Sequence, residues 1–345
     1  MISRSIKAAI LLVISALTLT ACNPPMPPEV LAALAEQSYT CEAGDTQLSA
    51  PVEISAVATD WQGSVSTNCE GMSITPAEAP GAAVELQIGD PADASCVAYA
   101  TVPFATDAVV FTANLDGISN VNLNAAAVEK IFKGEIENWN DPLLVKLNQG
   151  FEMPDLAITY GSQLTADAAK PMTDWLTRLA KHDVAFTAGD AAIDPMTAGA
   201  LVLSNYSKAS ALGITMVGII AGSSTEKDLV VPDMGTISTG ATQFSMKKNG
   251  GSLELTFNAN AKPIAPVGID VAPNPYQAVS IVSLRLCGTD SLKTRAAARY
   301  ILRQDSQGSL GLTTFIALPE SLRIEALAAV SKGLPMPSIA PEANQ

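Results

Sequence analysis

Val128, Ile131 and Phe132 fall three and four residues apart, a stripe along one face of a helix. The residues around them mark both ends. Asn124 stands where an N-cap belongs, Leu123 and Val128 are spaced as a hydrophobic staple, and Gly134 sits just past the last turn. Asp141-Pro142 opens a second short helix, with Asp as cap and Pro at the first position. Met172, Trp175, Leu176 and Leu179 form another stripe over MTDWLTRLA. SLKTRAAARYILRQD and LPESLRIEALAAVSK predict two amphipathic helices near the C-terminus. PAEAPGAAVELQIGDP predicts a short helix closing at Gly89, and residues 191–220 predict a helix, a turn and the strand ALGITMVGII.

Other stretches follow a strand pattern. DASCVAYATVPFATDAVVFTANL, rich in Val and Phe, predicts two extended segments broken at Pro103. PYQAVSIVSLRLCG predicts another strong strand, and DLAITYGS a strand that runs into a loop. EISAVATDWQGSV reads as short alternations, and residues 221–265 as loop-rich with short strands such as LELTF. Strands and helices alternate without an internal repeat, so the fold class is α/β.

The ends follow another pattern. Arg4 and Lys7 precede the apolar run AAILLVISALTL, which is too short to span a bilayer, and LTAC follows. This predicts a leader over 1–21 and resembles a bacterial lipobox, with Cys22 as the lipidated (palmitate-bearing) first residue of the mature chain. The Pro-rich segment 22–36 predicts a stiff spacer, and 341–345 a polar tail.

The formal net charge of −14 argues against nucleic acid or anionic lipid headgroups as partners. Four cysteines remain after Cys22: Cys41, Cys69, Cys96 and Cys287. In an exported protein an even number favours two disulfides, with three connectivities open. No metal site is expected, because C-x-x-C is absent and His182 is the only histidine. His182 follows Lys181 at a helix end, an exposed or dipole-facing position. An enzyme is not expected, nor is a cofactor: no serine sits in G-x-S-x-G. SMKK at 245–248 and STEK at 224–227 match S-x-x-K but lack its companion motifs.

IFKGEIENWNDP resembles the helix-turn of the phosphate-binding proteins of ABC transporters, in which I-F-x-G-x-I runs into W-N-D-P. Ile131, Phe132, Gly134, Ile136, Trp139, Asn140, Asp141 and Pro142 all match. FATDAVVFTAN resembles the family's crossing strand, YQAVSIVSLRL its returning strand, and Phe315, Leu318 and Pro319 its segment before the last helix. The resemblance covers about 100–340, and residues 37–99 match only in general plan. It implies a two-lobed, periplasmic-binding-protein-like fold of type II, with the lobes joined by two crossing strands. The expected lobes are 37–105 with 266–340, and 106–265.

The anion-binding loop departs from the family. Where the family has R-S-D-G-S-G-T-T, this chain has YGSQLTADAAKP. Ser162 keeps its place, Gly161 stands where the family has Arg, the Gly-Ser-Gly step is absent, and Pro171 is expected to shorten or kink the helix. No aspartate near DASCVAYA takes the place of the one in the family's G-A-S-D-A segment, and the N-terminal T-x-S contacts have no counterpart. The candidate ligand-binding residues are therefore Ser162, Gln163 and Thr165, with Thr106 and Asp107 on the crossing strand, which faces the cleft in the family. Arg285, a charge within an apolar strand, is expected to snorkel or pair with a carboxylate, and Trp175 to be core.

Strands crossing near 103–111 and 276–286 would bring Cys96 to Cys287 if antiparallel, leaving Cys41 to pair with Cys69. The expected function is that of a lipid-anchored solute-binding protein on the extracytoplasmic face of the cell membrane. It would bind a small ligand, phosphate or another anion, for the permease of an ABC importer. The alternative is a non-transport sensor or adaptor lipoprotein with a degenerate cleft.

Overall fold

The computed structural model describes residues 41–78, 81–88, 96–184, 193–265, 268 and 270–334. The expected leader, Cys22, spacer and tail lie outside the described residues.

The main sheet is organised by one long strand. Strands β1 (Gly44–Ser49), β2 (Met72–Pro76), β3 (Val84–Gln87) and β4 (Ala98–Ala113) come first in the chain. β5 (Val121–Asn124) belongs elsewhere; β6 (Thr159–Ser162), β7 (Ala200–Asn205), β12 (Val279–Cys287) and β13 (Ile316–Ala317) complete this sheet. The order is β2-β1-β3-β12-β4-β7-β6, with β13 also on β4. β4 is buried along almost its whole length because it serves both ends of the sheet: its first part pairs with β12, and Val109–Ala113 pair with β7. Its mostly apolar sequence suits a strand covered on both faces. β12 lies antiparallel beside it, Val279 opposite Ala108 and Cys287 opposite Ala98. These are the two crossing strands of the two-lobed fold.

Pro103 does not break β4. A register shift between Val282 and Ser283 falls opposite Pro103, and bulges are where a strand tolerates proline. Cys96 is bonded to Cys287, and Cys41 to Cys69.

Three other expectations are corrected. The stretch read as alternations is α1 (Ser55–Asn68). Its buried residues Val57, Ala58, Trp61 and Val65 recur at three and four, a helical period that short alternating windows conceal. Within the expected helix PAEAPGAAVELQIGDP, Val84–Gln87 is β3, buried on both faces between β1 and β12; Gly89 lies outside the described residues. In 191–220 the segment ALVLSN is β7, and the helix α5 (Tyr206–Ala211) comes after it.

The helices with marked ends form as read. α2 (Ala125–Phe132) starts at Asn124, whose Oδ1 accepts from the Ala127 amide at 2.9 Å, and Gly134 takes φ +70° past its end. α3 (Pro142–Leu147) is capped by Asp141, which accepts from the Leu143 amide. α4 (Ala166–Ala180) runs through Pro171 unshortened. Trp139 is fully buried, and its Nε1 donates to Gly199 O at 3.0 Å. The stretch IENWNDP therefore fastens the α2–α3 turn to the segment leading into β7. Trp175 is core and packs edge-on against Tyr276 at 4.8 Å.

β8 (Val217–Ile220) pairs with β5 and with β9 (Leu229–Val230) in a small sheet. The region read as loop-rich holds α6 (Met234–Ala241), closed by an Asp233–Thr236 capping box, and the hairpin of β10 (Phe244–Asn249) and β11 (Ser252–Phe257). α7 (Leu292–Ile301), the short α8 (Gln304–Gly308) and α9 (Glu320–Val330) close the fold. Among the described residues no helix is long and apolar enough to cross a membrane.

Candidate functional site

In α/β sheets ligands sit beyond the carboxyl ends of strands. Here two such ends face one another. Gln87, at the end of β3, pairs through Ser283 to Pro103 of β4, while Asn205, at the end of β7, pairs with Val109. β3 and β7 run in opposite directions, because β4 is antiparallel to β7 and both β3 and β4 are antiparallel to β12. Their carboxyl ends therefore converge on the middle of β4, at Thr106 and Asp107. A cavity of about 350 Å³ lies there, lined by Pro51 and Glu53 after β1, Glu85 and Gln87 of β3, and Asn205, Ser207 and Lys208 at the start of α5.

Asp107 braces this junction. Its Oδ1 accepts from the Ala108 amide at 2.8 Å and the Ser207 amide at 3.0 Å, and its Oδ2 accepts from Ser207 Oγ at 2.7 Å. Burial raises its pKa to about 6, and the bonds from Ser207 and Ala108 oppose the rise. Its acceptors are occupied from within the protein, so it holds the first turn of α5 rather than presenting a free carboxylate.

Ser162, Gln163 and Thr165 are likewise occupied. Ser162 Oγ accepts from the Leu164 amide and donates to Leu164 O, closing a turn on itself. Gln163 Oε1 accepts from Ser204 Oγ at 3.0 Å, and Thr165 is the N-cap of α4, accepting from Ala168. Thr106 Oγ1 is buried without a hydrogen-bond partner among the described residues. None of these side chains lines the 350 Å³ cavity. Sequence reasoning missed Asn205, Ser207 and Lys208 because it placed a helix over β7. The signal was available: a short aliphatic run ending at Asn, the usual sign of a strand handing over to a helix cap.

The electrostatics are mixed. Lys208, exposed and without an ion pair among the described residues, is the cleft's cation, against the carboxylates of Glu53 and Glu85. The sulfurs of Cys96 and Cys287 lie near the Glu85 carboxylate, but both are consumed by their disulfide, so the cluster offers no thiolate to a metal. His182 is exposed just past Lys181, the αL cap of α4, with its Nε2 2.9 Å from Glu129, whose hydrogen bond raises the histidine's pKa. Ser245 and Ser224 of the two S-x-x-K stretches make local backbone bonds, to Thr256 O and from the Lys227 amide.

The raised pKa of Asp107 has a sign that can be checked. Between pH ~4 and ~6 the folded protein keeps a proton that the unfolded chain has released. Stability from this group is therefore greatest below that window and is lost as pH rises through it, by roughly 3 kcal/mol in all. Asp107→Asn keeps Oδ1 as acceptor for both amides and cannot ionise. The wild-type minus Asp107→Asn difference in unfolding free energy is expected to fall by most of that amount, about 2.4 kcal/mol, from pH 4 to pH 7. A constant difference, measured by urea unfolding, would refute it.

Comparisons with known proteins agree with the topology. "Phosphate-binding protein PstS 3" of Mycobacterium leprae (strain TN) is 25% identical over 245 residues, 64% of this chain and 63% of the relative. The chain thus spans less than two thirds of that relative's length. "Phosphate-binding protein PstS 2" of Mycobacterium tuberculosis (strain ATCC 25618 / H37Rv) is 36% identical over 58 residues, 17% of this chain and 16% of the relative. Among solved structures, a human phosphate binding apolipoprotein superposes with a TM-score of 0.50 at 10% identity, covering 82% of this chain and 94% of that one. The sequence model of the PBP superfamily domain matches residues 96–301, more than half of the chain and including both crossing strands. The chain belongs to the PBP superfamily.

Proposed function

We propose that this chain is an extracytoplasmic solute-binding protein. It takes a small anion between lobes formed by 37–105 with 266–340 and by 106–265, and passes it to an ABC importer. Acylated Cys22 holds it to the membrane. The observation that carries this reading is the convergence of the carboxyl ends of β3 and β7 on a cavity above the middle of β4, with Lys208 and the first turn of α5 on one wall. The names of the relatives support an anion as ligand. Binding is favoured over catalysis because Ser207 donates its hydroxyl proton to a carboxylate that already accepts two amides, a weak base, and the single histidine is engaged by Glu129.

One observation favours the second reading, a sensor or adaptor lipoprotein without transport. The side-chain oxygens of Ser162, Gln163 and Thr165 in the loop 162–165 are bonded within the protein, and Glu53 and Glu85 line the cleft. An arginine fork is missing there, and each charge-assisted hydrogen bond lost removes about 1.5–3 kcal/mol.

Calorimetry on the secreted Cys22→Ser form separates the two. Phosphate is expected to bind with a dissociation constant above roughly 100 μM. Lys208→Met is expected to weaken that binding by roughly tenfold. Sub-micromolar phosphate binding would overturn the second reading and show that other residues rebuild the missing anion loop. Indifference to Lys208→Met would move the site away from this cavity.

A further inference from the structure

A second and larger cavity, about 720 Å³, lies over β12 between α4 and the β10–β11 hairpin. It shares no lining residue with the cleft at α5. Its roof is the hairpin. Phe244 pairs with Phe257 and Met246 with Leu255, so alternate residues of both strands share one face. Phe244, Leu255 and Phe257 line the cavity, the two rings edge-on at 5.2 Å. Val279 and Ile281 of β12 supply an apolar floor.

Arg285 stands at one end of this floor. It is 8% exposed; its Nη2 donates to Cys96 O at 3.0 Å, and its Nε is buried without a partner among the described residues. No ion pair reaches it among the described residues, so the expected pairing with a carboxylate is not found there. Glu85 is its neighbour across the β3–β12 pair, and an anion brought to the unpartnered Nε would add the hydrogen bond that burial leaves unmade. Of the carboxylates on the walls, Asp174 is engaged by Lys170 at 2.6 Å. Arg178 lies over the Phe257 ring at 5.2 Å, a second cation on the apolar wall.

The volume is that of a site for an organic ligand rather than a lone inorganic oxyanion. We propose that this cavity binds an amphipathic organic anion, a carboxylate carrying a medium-length hydrocarbon chain. The acid group sits on Arg285, and the chain lies against Phe244, Leu255, Phe257 and Ile281.

Titration of the Cys22→Ser chain with sodium decanoate, kept below its micelle concentration, is expected to reveal one saturable site. Arg285→Gln should weaken binding by roughly 10- to 100-fold. Leu255→Trp crowds the cavity from its roof, leaves Arg285 in place, and should weaken binding by roughly tenfold. 1-Decanol, which lacks the charge, should bind at least roughly tenfold more weakly. Excess inorganic phosphate should leave decanoate binding unchanged. Absence of decanoate binding overturns the proposal, as does equal affinity in both variants or for the alcohol. Competition by phosphate also overturns it, because that would place the anion in the cleft at α5. Should Arg285→Gln fail to fold, the Leu255→Trp and decanol measurements decide alone.

Discussion

Replacing Cys96 and Cys287 together by alanine is expected to lower the unfolding free energy by about 5 kcal/mol. This bond spans 191 residues, whereas Cys41–Cys69 spans 28, and in the chain-entropy account the longer loop constrains the unfolded chain more. Alanine at 41 and 69 should cost about 3–4 kcal/mol. Guanidinium unfolding of the two double variants under the same conditions measures the order. A greater loss from the 41/69 pair would show that native packing, not loop closure, sets the contribution of these bonds.

Trp139→Ala is expected to cost about 4 kcal/mol. The side chain is fully buried, so its removal leaves a cavity, and the Nε1 bond to Gly199 O goes with it. The neighbourhood cannot collapse easily. Gly199 has φ +79°, and a Cβ there would clash with Ala157 O, so this backbone is already in close contact. Trp139→Phe retains most of the ring and should cost roughly half as much. Urea unfolding reads both values. If the alanine variant lost less than the phenylalanine variant, Trp139 would not be the fastening between the α2–α3 turn and the approach to β7.

What was legible in the sequence was local. Asn124, Gly134 and Asp141 act on backbone groups within three residues, so α2 and α3 could be read from their own neighbourhoods. The crossing strands were legible for another reason: few segments are apolar on both faces for as long as β4. β3 and β7 failed because four to six buried residues show no period that separates strand from helix. The candidate site was less legible still. Ser162, Gln163 and Thr165 have suitable polar groups, but sequence does not reveal that Leu164, Ser204 and Ala168 already bond to their side-chain oxygens. Asp107 stood out as a charge in an apolar strand, yet its partner Ser207 lies 100 residues away.

The covalent tie at the end of the two crossing strands has a mechanical consequence. Cys287 lies opposite Ala98, and its bond to Cys96 pins the outer end of the β4–β12 ribbon. With that end fixed, β12 cannot slide along β4 by even one residue, a slip that would carry every side chain to the other face. Sliding is removed as a way for the parts joined by these strands to move. Bending remains, and its pivot is displaced toward the far end of the ribbon, where Ile281 faces Thr106 and no covalent bond joins the strands.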